Sequence, residues 1–108
     1  MIKIDNRKDL DLELNKNKQV LALFYATWCP YCIRSVPNFD KRAASLGFKN
    51  IIHVLLDDYD NQLWDVFDIP AVPTIIYFED GKVSKRLDGQ LGSGLSVEKF
   101  KVWIEELK

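Results

Sequence analysis

Cysteine and histidine are scarce in this 108-residue chain, which has two of the first and one of the second. A structural zinc site takes four protein ligands, so a zinc shell here would need carboxylates or a second chain to complete it. An excess of one charge is also lacking: 15 Lys+Arg stand against 16 Asp+Glu, the net charge is −1, and the basic residues are scattered among acidic ones. That leaves no field for steering to nucleic acid or to an anionic bilayer. Long hydrophobic runs are missing too. The longest, Val20 to Ala26, falls far short of the roughly 18 residues of a membrane span. The first nine residues, Met1 to Asp9, contain no continuous apolar region and carry acidic side chains early, so neither a signal nor a transit peptide is expected and the cytoplasm is the expected compartment. Repeats, low-complexity tracts and linker-like stretches are absent, and residues 1–108 read as one domain.

What is present suits an ordinary core. With 47% hydrophobic residues, a chain of this mass can bury about two-thirds of its unfolded surface. Ile2 to Ile4 reads as a short edge strand. Asp5 or Asn6 can cap a first helix with Leu10 and Leu14 on one face. Val20 to Ala26 lacks polar alternation and reads as a central strand covered on both faces. From Pro30 to Leu46, Ile33, Val36, Phe39, Ala43 and Leu46 recur at helical spacing, with Pro37 inside and Gly47 at the C-cap. Ile51 to Leu56 reads as a second buried strand, and Asn61 as the cap of a short helix through Phe67. Thr74 to Phe78 and Val83 to Leu87 flank an Asp80-Gly81 turn and form an antiparallel hairpin. Ser96 caps a last helix with Val97, Phe100, Ile104 and Leu107 inward. The fold class is α/β: a mixed sheet built from a βαβ half and a ββα half, with helices on both faces.

Both cysteines fall in Trp28-Cys29-Pro30-Tyr31-Cys32, where the central strand meets the long helix. A helix N-terminus presents unpaired N–H groups and the positive end of the macrodipole, so a thiolate at Cys29 is stabilised and Cys29 is the expected nucleophile. Cys32 lies about one turn along the same face, within reach of a disulfide, and is the expected resolving thiol. Pro30 fits the first turn because its missing N–H has no intrahelical partner, and Trp28 shields one side of the pair.

On these residues the chain resembles thioredoxins along nearly its whole length. Trp28-Cys29-x-x-Cys32 follows the strand as in that family, and Pro37 matches its helix-kinking proline. Val72-Pro73-Thr74 is similar to its cis-proline loop, Gly81 to its hairpin glycine, and Gly89 to the glycine lining its substrate groove. Only about 5–6% of X-Pro bonds are cis, so the resemblance alone assigns cis to Pro73, while Pro70 takes an ordinary turn role. The resemblance implies a thioredoxin fold and a thiol–disulfide oxidoreductase. Its substrate surface is made of Trp28, Pro30, Tyr31, Val72, Pro73 and Gly89, its partners are protein disulfides and a flavin-dependent thioredoxin reductase or similar donor, and no metal or organic cofactor is needed. A monomer is expected.

Three departures stand out. Pro30-Tyr31 between the cysteines is the pair usual in glutaredoxins, so the expected potential is more oxidising than that of a typical thioredoxin. Leu23, six residues before Cys29, occupies the place of the family's buried aspartate, and the family's buried lysine aligns near Val54, with His53 adjacent. The proton relay for Cys32 is missing as a unit, so water or another group must deprotonate Cys32 and slower resolution of the mixed disulfide is expected. Finally, Gln90 to Leu95 is glycine-rich and reads either as a flexible connector or as an adaptable groove rim.

Alternatives remain at this level. Glutaredoxin-like or isomerase-like activity is favoured by Pro30-Tyr31 and opposed by the N-terminal strand and helix and by Trp28. A metal or cluster site and a redox-inert interaction module are the rivals from other classes. Arg34 reads as part of a solvated helix face, Trp64 and Trp103 as packing, Tyr31 as exposed and in contact with partners. Asp57, Asp58, Asp60, Asp65 and Asp68 read as a solvated acidic face.

Overall fold

The computed structural model describes residues 2–90 and 94–107. Its elements run β1 (Ile2–Ile4), α1 (Arg7–Lys16), β2 (Gln19–Tyr25), α2 (Pro30–Ser45), β3 (Ile51–Leu55), α3 (Leu63–Val66), β4 (Thr74–Glu79), β5 (Lys82–Leu87) and α4 (Val97–Glu106). The five strands form one sheet in the order β1-β3-β2-β4-β5. β1 and β2 pair with β3 in parallel, while β4 runs antiparallel to both β2 and β5. The mixed sheet expected from the sequence is the one found.

Burial explains why β2 is central. Val20 through Phe24 are at most 1% exposed, as a strand packed on both faces requires. Leu23 lies over the face on which α2 and α4 pack, where Phe39 and Phe100 meet at 5.9 Å. On the other face Phe67, just after α3, sets its ring edge against Phe24 and Phe78. The hairpin turn places Asp80 and Gly81 at φ 53° and 79°.

Local chemistry fixes most helix starts. The Asn6 side chain accepts the Asp9 N–H at 2.8 Å, and Ser96 caps α4 through the Lys99 N–H. Three expectations need correction. Ile33 is 64% exposed, because α2 buries Cys32, Phe39 and Ala43 and a residue next to Cys32 is rotated about 100° off that face. Val97 is exposed at the first position of α4, leaving Phe100 and Ile104 as its buried residues. Asn61 is not the cap of the short helix: α3 is the four residues Leu63–Val66 with Gln62 at its N-cap, and Asn61 instead accepts the Leu63 N–H on its side-chain oxygen and donates to the Asp5 carbonyl.

Candidate active site

The end of β2 and the start of α2 carry the site. Cys29 is the N-cap of α2, in an extended conformation with Pro30 directly after it, and its sulfur accepts the Cys32 N–H at 3.4 Å. That backbone donor and the helix dipole both favour negative charge on this sulfur. Both cysteines are free thiols and almost fully buried, 4% exposed at Cys29 and 1% at Cys32. Burial pushes the Cys32 thiol up to about 12; its hydrogen bond with Cys29 adds to this, and a backbone hydrogen bond from Ala26 opposes it. Cys32 is therefore a thiol at rest that must lose its proton before it can attack.

The Val72–Pro73 bond is cis, as the resemblance led us to expect. The loop brings the Val72 carbonyl to 3.8 Å from the Cys29 sulfur. Thr74 closes the turn by donating its hydroxyl to the Ala71 carbonyl at 2.7 Å. Gly89 backs the same loop: it is buried, its N–H reaches the Thr74 hydroxyl, and a Cβ there would lie 2.3 Å from the Pro73 oxygen. Glycine at 89 is thus required by close approach.

Gly94 answers a similar demand. It pairs by backbone hydrogen bonds with Gln90 at 2.8 Å, and a Cβ on it would stand 2.5 Å from the Tyr31 Cβ. Glycine at 94 is thus also required by close approach, here to Tyr31. Leu91, Gly92 and Ser93 lie outside the described residues. Tyr31 is correspondingly half-buried against the core and not exposed, with the Arg34 guanidinium 5.5 Å from its ring centre. Arg34 is exposed but stacked, a cation–π contact that a reading of the helix face alone does not anticipate.

Trp28 is 46% exposed, and its indole N–H donates to the Asp57 carbonyl at 2.9 Å. The Asp57 carboxylate in turn accepts the Thr27 N–H and hydroxyl at 2.7 and 2.6 Å. Asp57 therefore clamps the loop before Cys29, in addition to belonging to an acidic face. Trp28, Tyr59 and Trp64 form a ladder with ring centres 5.2 and 5.8 Å apart. Together with Tyr31, Pro70 and Val72 they line an open groove of about 260 Å³ beside Cys29. Trp64 is both packed and groove-lining, while the place of Tyr59 is not legible in the sequence. Its position between two aspartates carries no periodic signal.

Beneath the site Leu23 is fully buried, with His53 and Ile75 as its register partners. This corrects the alignment near Val54, which pairs with Phe24 one residue along and so faces the other side of the sheet. His53, 3% exposed, bonds Tyr25 through Nδ1 at 3.0 Å and Asp40 through Nε2 at 2.7 Å. Among the described residues, no group of three or more His, Cys, Asp or Glu is arranged to hold a metal ion, and no helix is long and apolar enough to cross a membrane.

A strand-to-helix dithiol facing a cis-proline carbonyl is a thiol–disulfide exchange geometry, and the comparisons agree. The thioredoxin family model matches residues 1–103. The chain belongs to the thioredoxin family. It is 36% identical over 86 residues to thioredoxin of Mycoplasmoides gallisepticum, covering 80% of this chain and 85% of that one. To protein disulfide-isomerase A5 of Bos taurus it is 31% identical over 109 residues, which is 97% of this chain but 20% of that protein. The thioredoxin of Fasciola hepatica superposes with a TM-score of 0.80 at 25% identity, with full coverage of both chains. The dithiol site of this thioredoxin-family chain is that of a thiol–disulfide oxidoreductase.

Proposed function

We propose that the protein reduces disulfides of other proteins through a Cys29–Cys32 dithiol, and that residues 1–108 act as one monomeric domain in the cytoplasm. The observation that carries this is the position of the Cys29 sulfur, at the α2 N-terminus, 3.8 Å from the Val72 carbonyl and open to an apolar groove. The Cys29 thiolate attacks one sulfur of the substrate in line, a mixed disulfide forms, and the other substrate sulfur leaves as a thiolate. Cys32, having lost its proton, then attacks the Cys29 sulfur. The Cys29–substrate bond breaks, and the intramolecular disulfide remains with two electrons passed to the substrate. Trp28, Pro30, Tyr31, Val72, Pro73 and Gly89 form or support the surface that receives the substrate chain. No metal or organic cofactor takes part. A flavin-dependent thioredoxin reductase or a similar donor returns the electrons.

Pro30-Tyr31 and the disulfide-isomerase relative favour a second reading, in which the pair isomerises or oxidises. A redox titration of the pair in thiol buffers, with free thiols trapped and read by mass, separates the two. A potential near about −270 mV supports a general reductase, and about −200 mV or above supports glutaredoxin- or isomerase-like work. A pair that forms no disulfide at any poise refutes both. In the same assay Cys32→Ser is expected to accumulate mixed disulfides with substrate, and Cys29→Ser to form none.

A further inference from the structure

The exchange reading leaves one requirement without a residue: a group to take the proton of Cys32. Cys32 is buried, and Leu23, on the sheet face that α2 covers, is aliphatic and fully buried. Close by lies a hydrogen-bonded chain of three titratable side chains that the exchange steps do not use. Asp40, with its side chain 30% exposed, reaches His53 Nε2 at 2.7 Å, and His53 Nδ1 reaches the Tyr25 hydroxyl at 3.0 Å. His53 is buried between them, against Phe39. Tyr25 immediately precedes Ala26, whose backbone bonds the Cys32 sulfur. The chain therefore runs from solvent at Asp40 to Tyr25 at the end of β2, one residue from the backbone group that bonds the resolving thiol.

We propose, on the exchange reading above, that Asp40, His53 and Tyr25 form a proton relay that receives the Cys32 proton during resolution. With Nδ1 accepting from the phenol, Nε2 carries the hydrogen that is donated to Asp40. As Cys32 attacks, its S–H proton passes through one water to the Tyr25 oxygen, while the phenol passes its own proton to Nδ1. His53 becomes an imidazolium held by the Asp40 carboxylate, and Cys32 becomes the thiolate that forms the bond to Cys29. The substrate sulfur leaves as a thiolate and takes a proton from water in the open groove, and His53 returns to neutral by releasing its proton at the solvent-facing Asp40 end.

The surroundings agree with these roles. Burial first, then the charges of Asp40, Asp57 and Cys32, push the Tyr25 phenol up, so it stays a neutral carrier that both donates and accepts. Among the described residues, the charged or titratable groups around the chain are Asp40 and Cys32 from α2, Tyr25 from β2, Asp57 after β3, and Lys3, the register partner of His53 on β1; Cys29, the α2 N-cap, acts on Cys32. Asp40 is the carboxylate bonded to His53, so the imidazolium has a counter-charge at contact distance. Tyr25, His53 and Asp40 are positioning and relay residues and do not touch the substrate.

The test is a single turnover of the reduced protein with excess 5,5′-dithiobis(2-nitrobenzoate), followed by stopped-flow absorbance across pH 6 to 10. Attack by Cys29 releases one thionitrobenzoate in a concentration-dependent first phase, and attack by Cys32 releases the second in a unimolecular phase. Tyr25→Phe and His53→Gln are expected to slow the second phase about a hundredfold at neutral pH. They should leave the first phase in place and move the rise of the second to higher pH, converging on wild type where hydroxide removes the proton unaided. An unchanged second phase, or one slowed by the same factor at every pH, overturns the relay, since the latter is what lost packing alone produces. If His53→Gln does not fold, Tyr25→Phe keeps the ring and carries the test. Absence of any first phase in wild type would instead refute the exchange reading itself.

Discussion

At Cys32 the protein keeps a thiol where an ionised one would be more reactive, and stability records that choice. Folding raises this thiol from an ordinary 9.0 to about 12, chiefly through burial. Below about pH 9 the folded and unfolded chains both hold the proton, so the difference between them is fully in place. As pH rises from 9 towards 12 the unfolded thiol ionises first, and the stability tied to this group is lost. The dithiol form is therefore expected to weaken steadily over that window in urea titrations under reductant. Cys32→Ala should remove part of the slope and leave the portion due to the raised phenols of Tyr25 and Tyr77, which acts in the same direction from about pH 10. A slope identical in Cys32→Ala would show that the thiol is not held protonated. The roles of Gly89 and Gly94 show why single residues were only partly legible. Each is glycine because another residue's atoms occupy the place of its Cβ, and a contact across fifteen or more positions leaves no local mark.

Elements were easier to read, because their signals are periodic or confined to a few residues. The apolar run of β2, the helical spacing of Phe39 and Ala43 in α2, the Asn6 and Ser96 caps and the Asp80-Gly81 turn all operate within one segment. The segment between β3 and β4 is different: only four residues are helical, and their neighbours are positioned by long-range bonds from Asn61 and Asp57. That is why the groove-lining places of Tyr59 and Trp64 are not legible in the sequence. Tyr59 is 74% exposed, yet it stands between the rings of Trp28 and Trp64 beside the nucleophile. An exposed aromatic in such a ladder offers a large contact area to an incoming chain at low entropic cost. Tyr59→Ala is thus expected to raise KM for a protein disulfide about threefold or more, with kcat and the rate on a small aliphatic disulfide nearly unchanged. Its midpoint in urea should move little, since little buried area is lost. Equal losses on both substrates would place Tyr59 in the chemistry and not in substrate contact.

For the molecule as a whole, the dithiol stands above a sheet whose central layer is apolar, and stability and rate meet at Leu23. This side chain is fully buried between His53 and Ile75, so a carboxylate there is desolvated and its folded pKa lies above that of the unfolded chain. Leu23→Asp should lower stability by about 3 kcal/mol through lost packing and a buried polar group. The loss should grow as pH rises from about 4, where the unfolded carboxyl ionises while the folded one resists, and level off above the folded pKa. In return, the acid sits under α2 with His53 as its register partner and supplies a second proton acceptor near Cys32, so resolution of the mixed disulfide should be faster. If the Tyr25 relay already serves that step, the two routes are alternatives and their effects will not add: Leu23→Asp should speed resolution more in the Tyr25→Phe background than in wild type. An equal gain in both backgrounds would mean that the relay and the introduced acid act on different steps. No gain in either would mean that proton removal from Cys32 does not limit resolution in this fold.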